Sequence, residues 1–137
     1  MVNEEKTKAD LILIVSEEMY QDKLPNIIQG IQIINKEYDI TCDIETMVVG
    51  NAKYVPSGLK ISEKIKELKN KDYTITLDIT PGRKSLVAAA LISAEKMQIS
   101  HVLYLAADDI RDIPLMMKPK KLLHFRDFLS EVQRGIP

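Results

Sequence analysis

Tryptophan is absent from the 137 residues, phenylalanine occurs twice and cysteine once. With so few large rings, the chain cannot build the stacking platform on which single-strand nucleic-acid binders lay successive bases. The lone Cys42 excludes an internal disulfide. It has no His or Cys neighbour at metal-ligand spacing and reads as a small half-buried side chain. No apolar run approaches the roughly 20 residues that span a bilayer. Met1 to Asp10 is too charged for a secretory signal, so a cytoplasmic protein without a membrane segment is expected. Net charge is missing too: 19 Lys and Arg against 20 Asp and Glu leave −1. Such a chain has no overall field to draw it to duplex DNA or an anionic membrane, so any anion site must be local.

What is present is a globular composition, 45% apolar and 28% charged. The length suits one domain with one core, residues 1–9 being a flexible lead-in. Asp10 to Val15 is a continuous branched-aliphatic run, the mark of a strand covered on both faces, and it ends at Ser16. Leu24 to Tyr38 has apolar residues at 24, 27, 28, 31 and 34, the helical spacing, with Pro25 tolerated in the first turn. Ile44 to Val49 reads as the second strand and Asn51 to Ser57 as a loop. Ile61, Ile65 and Leu68 mark a helix with a lysine- and glutamate-rich outer face. Tyr73 to Ile79 reads as a buried strand, Leu86 to Met97 as an almost wholly apolar helix, and His101 to Ala106 as a fourth strand. Ile113 to Pro119 is expected to be an edge strand, where proline is tolerated. Leu122, Phe125, Leu129 and Val132 fit one stripe of a closing helix that would also carry His124.

Four alternations of strand and helix define an α/β class with a mainly parallel sheet, right-handed crossovers and an antiparallel edge. With strand order 2-1-3-4, ligands are expected beyond the carboxyl ends of the strands, between Ser16–Lys23 and Thr80–Ser85.

The chemistry concentrates in Thr80-Pro81-Gly82-Arg83-Lys84-Ser85, at the mouth of a strand-loop-helix unit. Amides at a helix amino end have no intrahelical acceptors, and the macrodipole adds about half a positive charge there. Arg83 and Lys84 add two whole charges. A P-loop is excluded, because Leu77 stands where its other glycine belongs and Arg83 where its lysine belongs. A dinucleotide fingerprint is excluded by the absence of glycine from Ser16 to Gln21. The structural alternative is a tight turn capped by Thr80 or Ser85 with an exposed first helical turn. Against it, cations in that turn oppose the macrodipole at about 0.3–1 kcal/mol each. Elsewhere, Asp108-Asp109 beside Arg111 reads as a cap and a surface ion pair rather than a magnesium site. His101 and His124, with no visible partner, read as structural.

Asp78 to Leu86, followed by an alanine-rich helix and preceded by the Ser16-Glu17 loop, resembles the CARF family, the CRISPR-associated Rossmann-fold sensors. The resemblance runs on through His101 to Leu105, Ile113 to Leu122 and Phe128. It implies a Rossmann-like three-layer sandwich and a homodimer that binds a cyclic oligoadenylate across its two-fold axis in type III CRISPR defence. By motif position, Ser16, Glu17, Thr80, Pro81, Gly82, Arg83, Lys84 and Ser85 would line the ligand site, with no cofactor and no metal. Many members carry a second glycine or threonine where this chain has Pro81 and Arg83, which leaves the ring size open. Two copies of Arg83 and Lys84 match the four phosphates of a tetra-adenylate ring. Val87, Ala90, Leu91 and Ala94 are expected to face more than one sheet can cover, which also favours a dimer.

Two functions follow from the resemblance. One is a sensor module whose effector domain lies elsewhere. The other is a ring nuclease that cuts the messenger without metal, the RNA 2′-hydroxyl attacking while Lys84 and Ser16 position and stabilise. A mononucleotide or phosphosugar binder of another doubly wound fold is the distant third.

Overall fold

The computed structural model describes residues 9–114 and 117–133. The expected flexible lead-in falls almost wholly outside that range. The chain divides into two compact units, Met1–Pro56 and Ser57–Pro137.

In the N-terminal unit, β1 (Leu11–Glu17) pairs in parallel with β2 (Asp43–Val49), Leu11 opposite Asp43 and Glu17 opposite Val49. A 3₁₀ segment, Glu18–Lys23, leads into α1 (Leu24–Glu37), where Pro25 occupies the first turn without losing an intrahelical bond. Ile40 N–H then bonds to Asn35 O at 2.8 Å and Asp43 N–H to Asp10 O at 2.9 Å, closing the crossover between the two strands.

The C-terminal unit begins within the first turn of α2 (Tyr54–Asn70). The helix starts four residues earlier than the expected loop, Asn51 to Ser57, allows, because Pro56 falls where an amide hydrogen has no acceptor to lose. Ile61, Ile65 and Leu68 are buried as their spacing predicts. On the outer face Lys64 and Lys71 hold Glu67 at 3.2 and 2.9 Å. Gly58 lies against Ala89 of α3 (Lys84–Lys96), and Ser93 Oγ donates to both Gly58 O and Ala89 O at 2.9 Å.

That helix contact corrects one expectation. Ala90 and Ala94 are buried within the chain and Val87 is half-buried, whereas Leu91 and Ile92 are the large apolar side chains that α3 exposes.

The second sheet has the order β3-β4-β5. The third strand, β3, is short, Thr76–Asp78, and pairs in parallel with β4 (His101–Ala107). Tyr73 to Ile79 was expected to be a buried strand. Instead Thr74, Thr76 and Asp78 are exposed while Ile75, Leu77 and Ile79 are half-buried. That is the period-2 pattern of a strand covered on one side. The class is thus α/β with a parallel pair and a mixed three-stranded sheet. Among the described residues β1 pairs with β2 alone, so the expected continuous order 2-1-3-4 is not formed.

The antiparallel edge strand exists, but not at Ile113–Pro119, of which residues 115 and 116 lie outside the described range. It is β5, Leu123–Asp127, with Leu105 opposite Phe125 and Ala106 opposite His124. The final helix, α4, shrinks to Phe128–Gln133. The stripe Leu122, Phe125, Leu129 and Val132 has helical spacing, yet Leu123-His124-Phe125-Arg126-Asp127 also alternates. The open edge of β4 supplies backbone partners that decide between the two periods. Phe128 then stacks on Tyr104 at 5.9 Å, and Glu131 holds Arg126 at 2.7 and 2.6 Å. No helix among the described residues is long and apolar enough to cross a membrane.

Candidate functional site

After β3, pairing with β4 continues for one more residue, Ile79 N–H bonding to Leu103 O at 2.9 Å. Thr80 then ends the strand. Its amide donates to Asp78 Oδ1 at 2.9 Å, and its Oγ1 accepts from Leu105 N–H at 2.9 Å. The hydroxyl is therefore built into the sheet and does not cap the helix, though its own hydrogen can still be donated. Gly82 sits at φ +107°, a conformation closed to side-chain-bearing residues without strain.

Arg83 is the N-cap residue of α3, with extended backbone (φ −73°, ψ 151°) and no side-chain cap. Neither of the expected caps, Thr80 or Ser85, fills that role. The first intrahelical bond is Val87 N–H to Arg83 O at 2.9 Å, so the amides of Lys84, Ser85 and Leu86 have no intrahelical acceptor. No acidic residue lies in this turn to offset the macrodipole. Pro81, Gly82, Arg83 and Lys84 are exposed. Ser85 Oγ is buried and has no hydrogen-bond partner among the described residues.

Ser16 and Glu17 belong to the N-terminal unit, and both are buried at the end of β1. Ser16 Oγ donates to Glu17 O at 3.1 Å. Glu17, only 3% exposed, accepts at Oε1 from Ala52 N–H at 2.8 Å. Ala52 is at φ +51°, left-handed and unfavourable for a residue with a Cβ. The carboxylate thus secures a strained turn after β2, and Asn51 Oδ1 reinforces it by accepting from Met19 N–H at 2.9 Å.

An open groove of about 430 Å³ in the same unit is lined by Ile28, Gln32, Asn35, Cys42 and Ile44, among others. Cys42 is half-buried there, as its sequence context predicts, and accepts from Asn35 Nδ2 at 3.0 Å. The groove balances Lys36 with Asp43 and presents no excess of cations.

At the carboxyl end of β4 the two aspartates separate. Asp109 takes Arg111, with Nε donating to Oδ1 and Oδ2 at 2.9 and 3.0 Å and the amide donating to Oδ1 at 3.0 Å. The hydrogen bond from Arg111 holds the Asp109 carboxyl well below the usual carboxylate range. Lys118 Nζ fastens the same loop by donating to the carbonyls of Asp109 and Arg111 at 2.6 and 2.7 Å.

Asp108 instead meets His124, Nε2 to Oδ2 at 2.5 Å, and at the far end of β4 His101 Nδ1 meets Asp127 Oδ2 at 2.7 Å. Sequence reasoning left both histidines without partners because it put His124 on a helix. The alternation from Leu123 to Asp127 was the signal that could have placed His124 opposite Ala106 and beside Asp108. Among the described residues, no cluster of three or more His, Cys, Asp or Glu side chains could hold a metal ion.

Comparison with protein-family models and with curated proteins finds no match. Chemically, the segment from Thr80 to Leu86 presents three amides without intrahelical acceptors and two exposed cationic side chains beside a buried hydroxyl, at the amino end of a 13-residue helix. That donor set suits an anion with several oxygens, a phosphate above all.

Proposed function

We propose that the chain binds a cyclic oligoadenylate, with cyclic tetra-adenylate as the first candidate, at the two-fold axis of a homodimer, as a sensor domain in type III CRISPR antiviral defence. With this goes the Rossmann-like three-layer sandwich that the CARF resemblance implies. The observation that supports it is the amino end of α3, where the amides of Lys84, Ser85 and Leu86 have no intrahelical acceptor. Gly82 turns the chain at φ +107°, no acid occupies the first helical turn, and the exposed side chains of Arg83 and Lys84 stand beside those amides, where a bound anion is stabilised. The orphaned Ser85 hydroxyl adds about 1–3 kcal/mol of unmet hydrogen bonding, which an anionic ligand can relieve after a rotamer change. Ser16 and Glu17 stay in the proposed contact set on motif position alone.

A near-neutral chain that must hold a tetravalent anion gains most by doubling its two cations, which is what a two-fold axis does. Titration calorimetry with cyclic and linear tetra-adenylate tests the proposal. Micromolar or tighter binding of the ring, weaker binding of the linear tetramer, and affinity falling with salt are expected. Equal affinity for both, or none for either, would sink it.

A further inference from the structure

Helix α1 is apolar on two faces. Leu24 is buried and Ile28, Ile31 and Asn35 are half-buried, and these form its inner face. Ile27, Ile33 and Ile34 are instead 45%, 62% and 53% exposed. At about 100° per residue, all three fall within roughly 60° of Gly30, which therefore marks the centre of an outer face. Nothing in the fold asks for a glycine there. A Cβ at Gly30 would meet no atom within 4 Å, and glycine weakens a helix interior relative to alanine. What it supplies is a flat notch between branched side chains, through which a second helix can approach closely.

The charged ends of this face select the occupant. Lys23 and Glu37 each stand seven residues from Gly30, about two turns or 10 Å along the axis, and both are exposed. Lys23 Nζ lies over the Tyr20 ring, 5.3 Å from its centroid, a contact that leaves the ammonium at the surface. A two-fold axis at Gly30 runs two such helices antiparallel. Lys23 then meets Glu37 of the partner subunit at either end, and Ile27 lies beside Ile33 of the partner subunit. Parallel helices would set like charges against each other.

We infer that the outer face of α1 is the docking surface for a second copy of this chain, the two helices crossing antiparallel at Gly30 with their isoleucines interdigitated and Lys23–Glu37 ion pairs at both ends. The contact needs no ligand. It lies in the N-terminal unit and does not rest on the cyclic oligoadenylate assignment, whose cations are in the C-terminal unit. One pair of 14-residue helices falls at the low end of specific interfaces, near about 1,000 Å² in total, so a micromolar dimer is expected.

Sedimentation equilibrium of the full chain without ligand tests this. Wild type is expected to pass from monomer to dimer with a Kd between about 1 and 100 µM. Ile33→Glu puts a charge into the contact and is expected to weaken association at least about 30-fold. Ile92→Glu, at a similarly exposed isoleucine of α3, is expected to leave association unchanged. Lys23→Glu or Glu37→Lys alone sets like charges together and should weaken association about 3- to 10-fold, whereas the double variant should return it to wild-type strength. Gly30→Leu should keep the helix content and thermal midpoint of the monomer yet weaken the dimer at least about tenfold, because the notch is filled. A chain that stays monomeric up to about ten times the weakest expected Kd overturns the inference. So does a dimer untouched by Ile33→Glu, one broken equally by Ile92→Glu, or a double charge reversal that restores nothing. Calorimetry with cyclic tetra-adenylate reads the ligand assignment separately, and its failure would leave this dimer standing.

Discussion

The loops that follow β1 and β3 have the same place in a strand-to-helix connection and opposite hydrogen-bond economies. After β1, Glu17 is buried and its carboxylate accepts from Ala52 N–H, while Asn51 accepts from Met19 N–H. Donors and acceptors there are matched within the chain. After β3, the amides of Lys84, Ser85 and Leu86 have no intrahelical acceptor, the Ser85 hydroxyl has no partner among the described residues, and two cations are exposed. Polar groups that cancel each other hold a fold together, whereas helix-end amides without intrahelical acceptors are able to receive an anion.

The sharpest way to break this contrast is to remove the cations. Arg83→Ala/Lys84→Ala is expected to weaken binding of cyclic tetra-adenylate by at least about 100-fold, and Lys84→Ala alone to leave the thermal midpoint unchanged or raised, since a charge opposed to the helix dipole is removed. Calorimetry and thermal unfolding check the two halves. In the matched loop the expectation reverses. Glu17→Ala orphans the Ala52 amide at its left-handed turn and is expected to cost about 1.5–3 kcal/mol in denaturant unfolding.

Gly82→Ala tests whether the open turn depends on its backbone shape. At φ +107° a Cβ is strained and would also sit 3.4 Å from Val87 Cγ2, so a loss of about 1–3 kcal/mol with weakened ligand binding is expected. Destabilisation with unchanged affinity would show that the turn's shape does not serve the ligand.

The smallest expected effect concerns pH. Asp109 titrates below its ordinary value because Arg111 bonds to it, so its unfolded form binds protons more readily than its folded form. Its stabilisation is thus complete above an unfolded carboxyl value of roughly 4 and declines as pH falls further. Asp109→Asn should flatten the acid limb of a thermal-midpoint profile between about pH 4 and 2. An unchanged acid limb would mean the pair contributes nothing to folding.

Much of the fold was legible before any coordinates. The buried stripe Ile61, Ile65 and Leu68, the helix from Leu24 and the strand from His101 fall where their periods put them, because one hydrophobic period dominates each. The stretch from Leu122 to Val132 carried two periods at once, helical for four residues and alternating for five, and resolved as a strand followed by a short helix. Its error hid both His–Asp pairs, since each links residues 16 or 26 positions apart.

The sequence by itself determined the α/β class and the glycine-and-cation turn before α3. Strand, glycine, cations and apolar helix there lie within a few residues of one another, and short-range geometry decides what they form. Only the tertiary structure decided that Thr80 is tied to Leu105, that Glu17 secures Ala52, and that His124 meets Asp108. These are contacts between distant residues, and they depend on which strand edge pairs with which. That choice rests on backbone hydrogen bonds, which every residue except proline can offer and which leave little trace in the order of side chains.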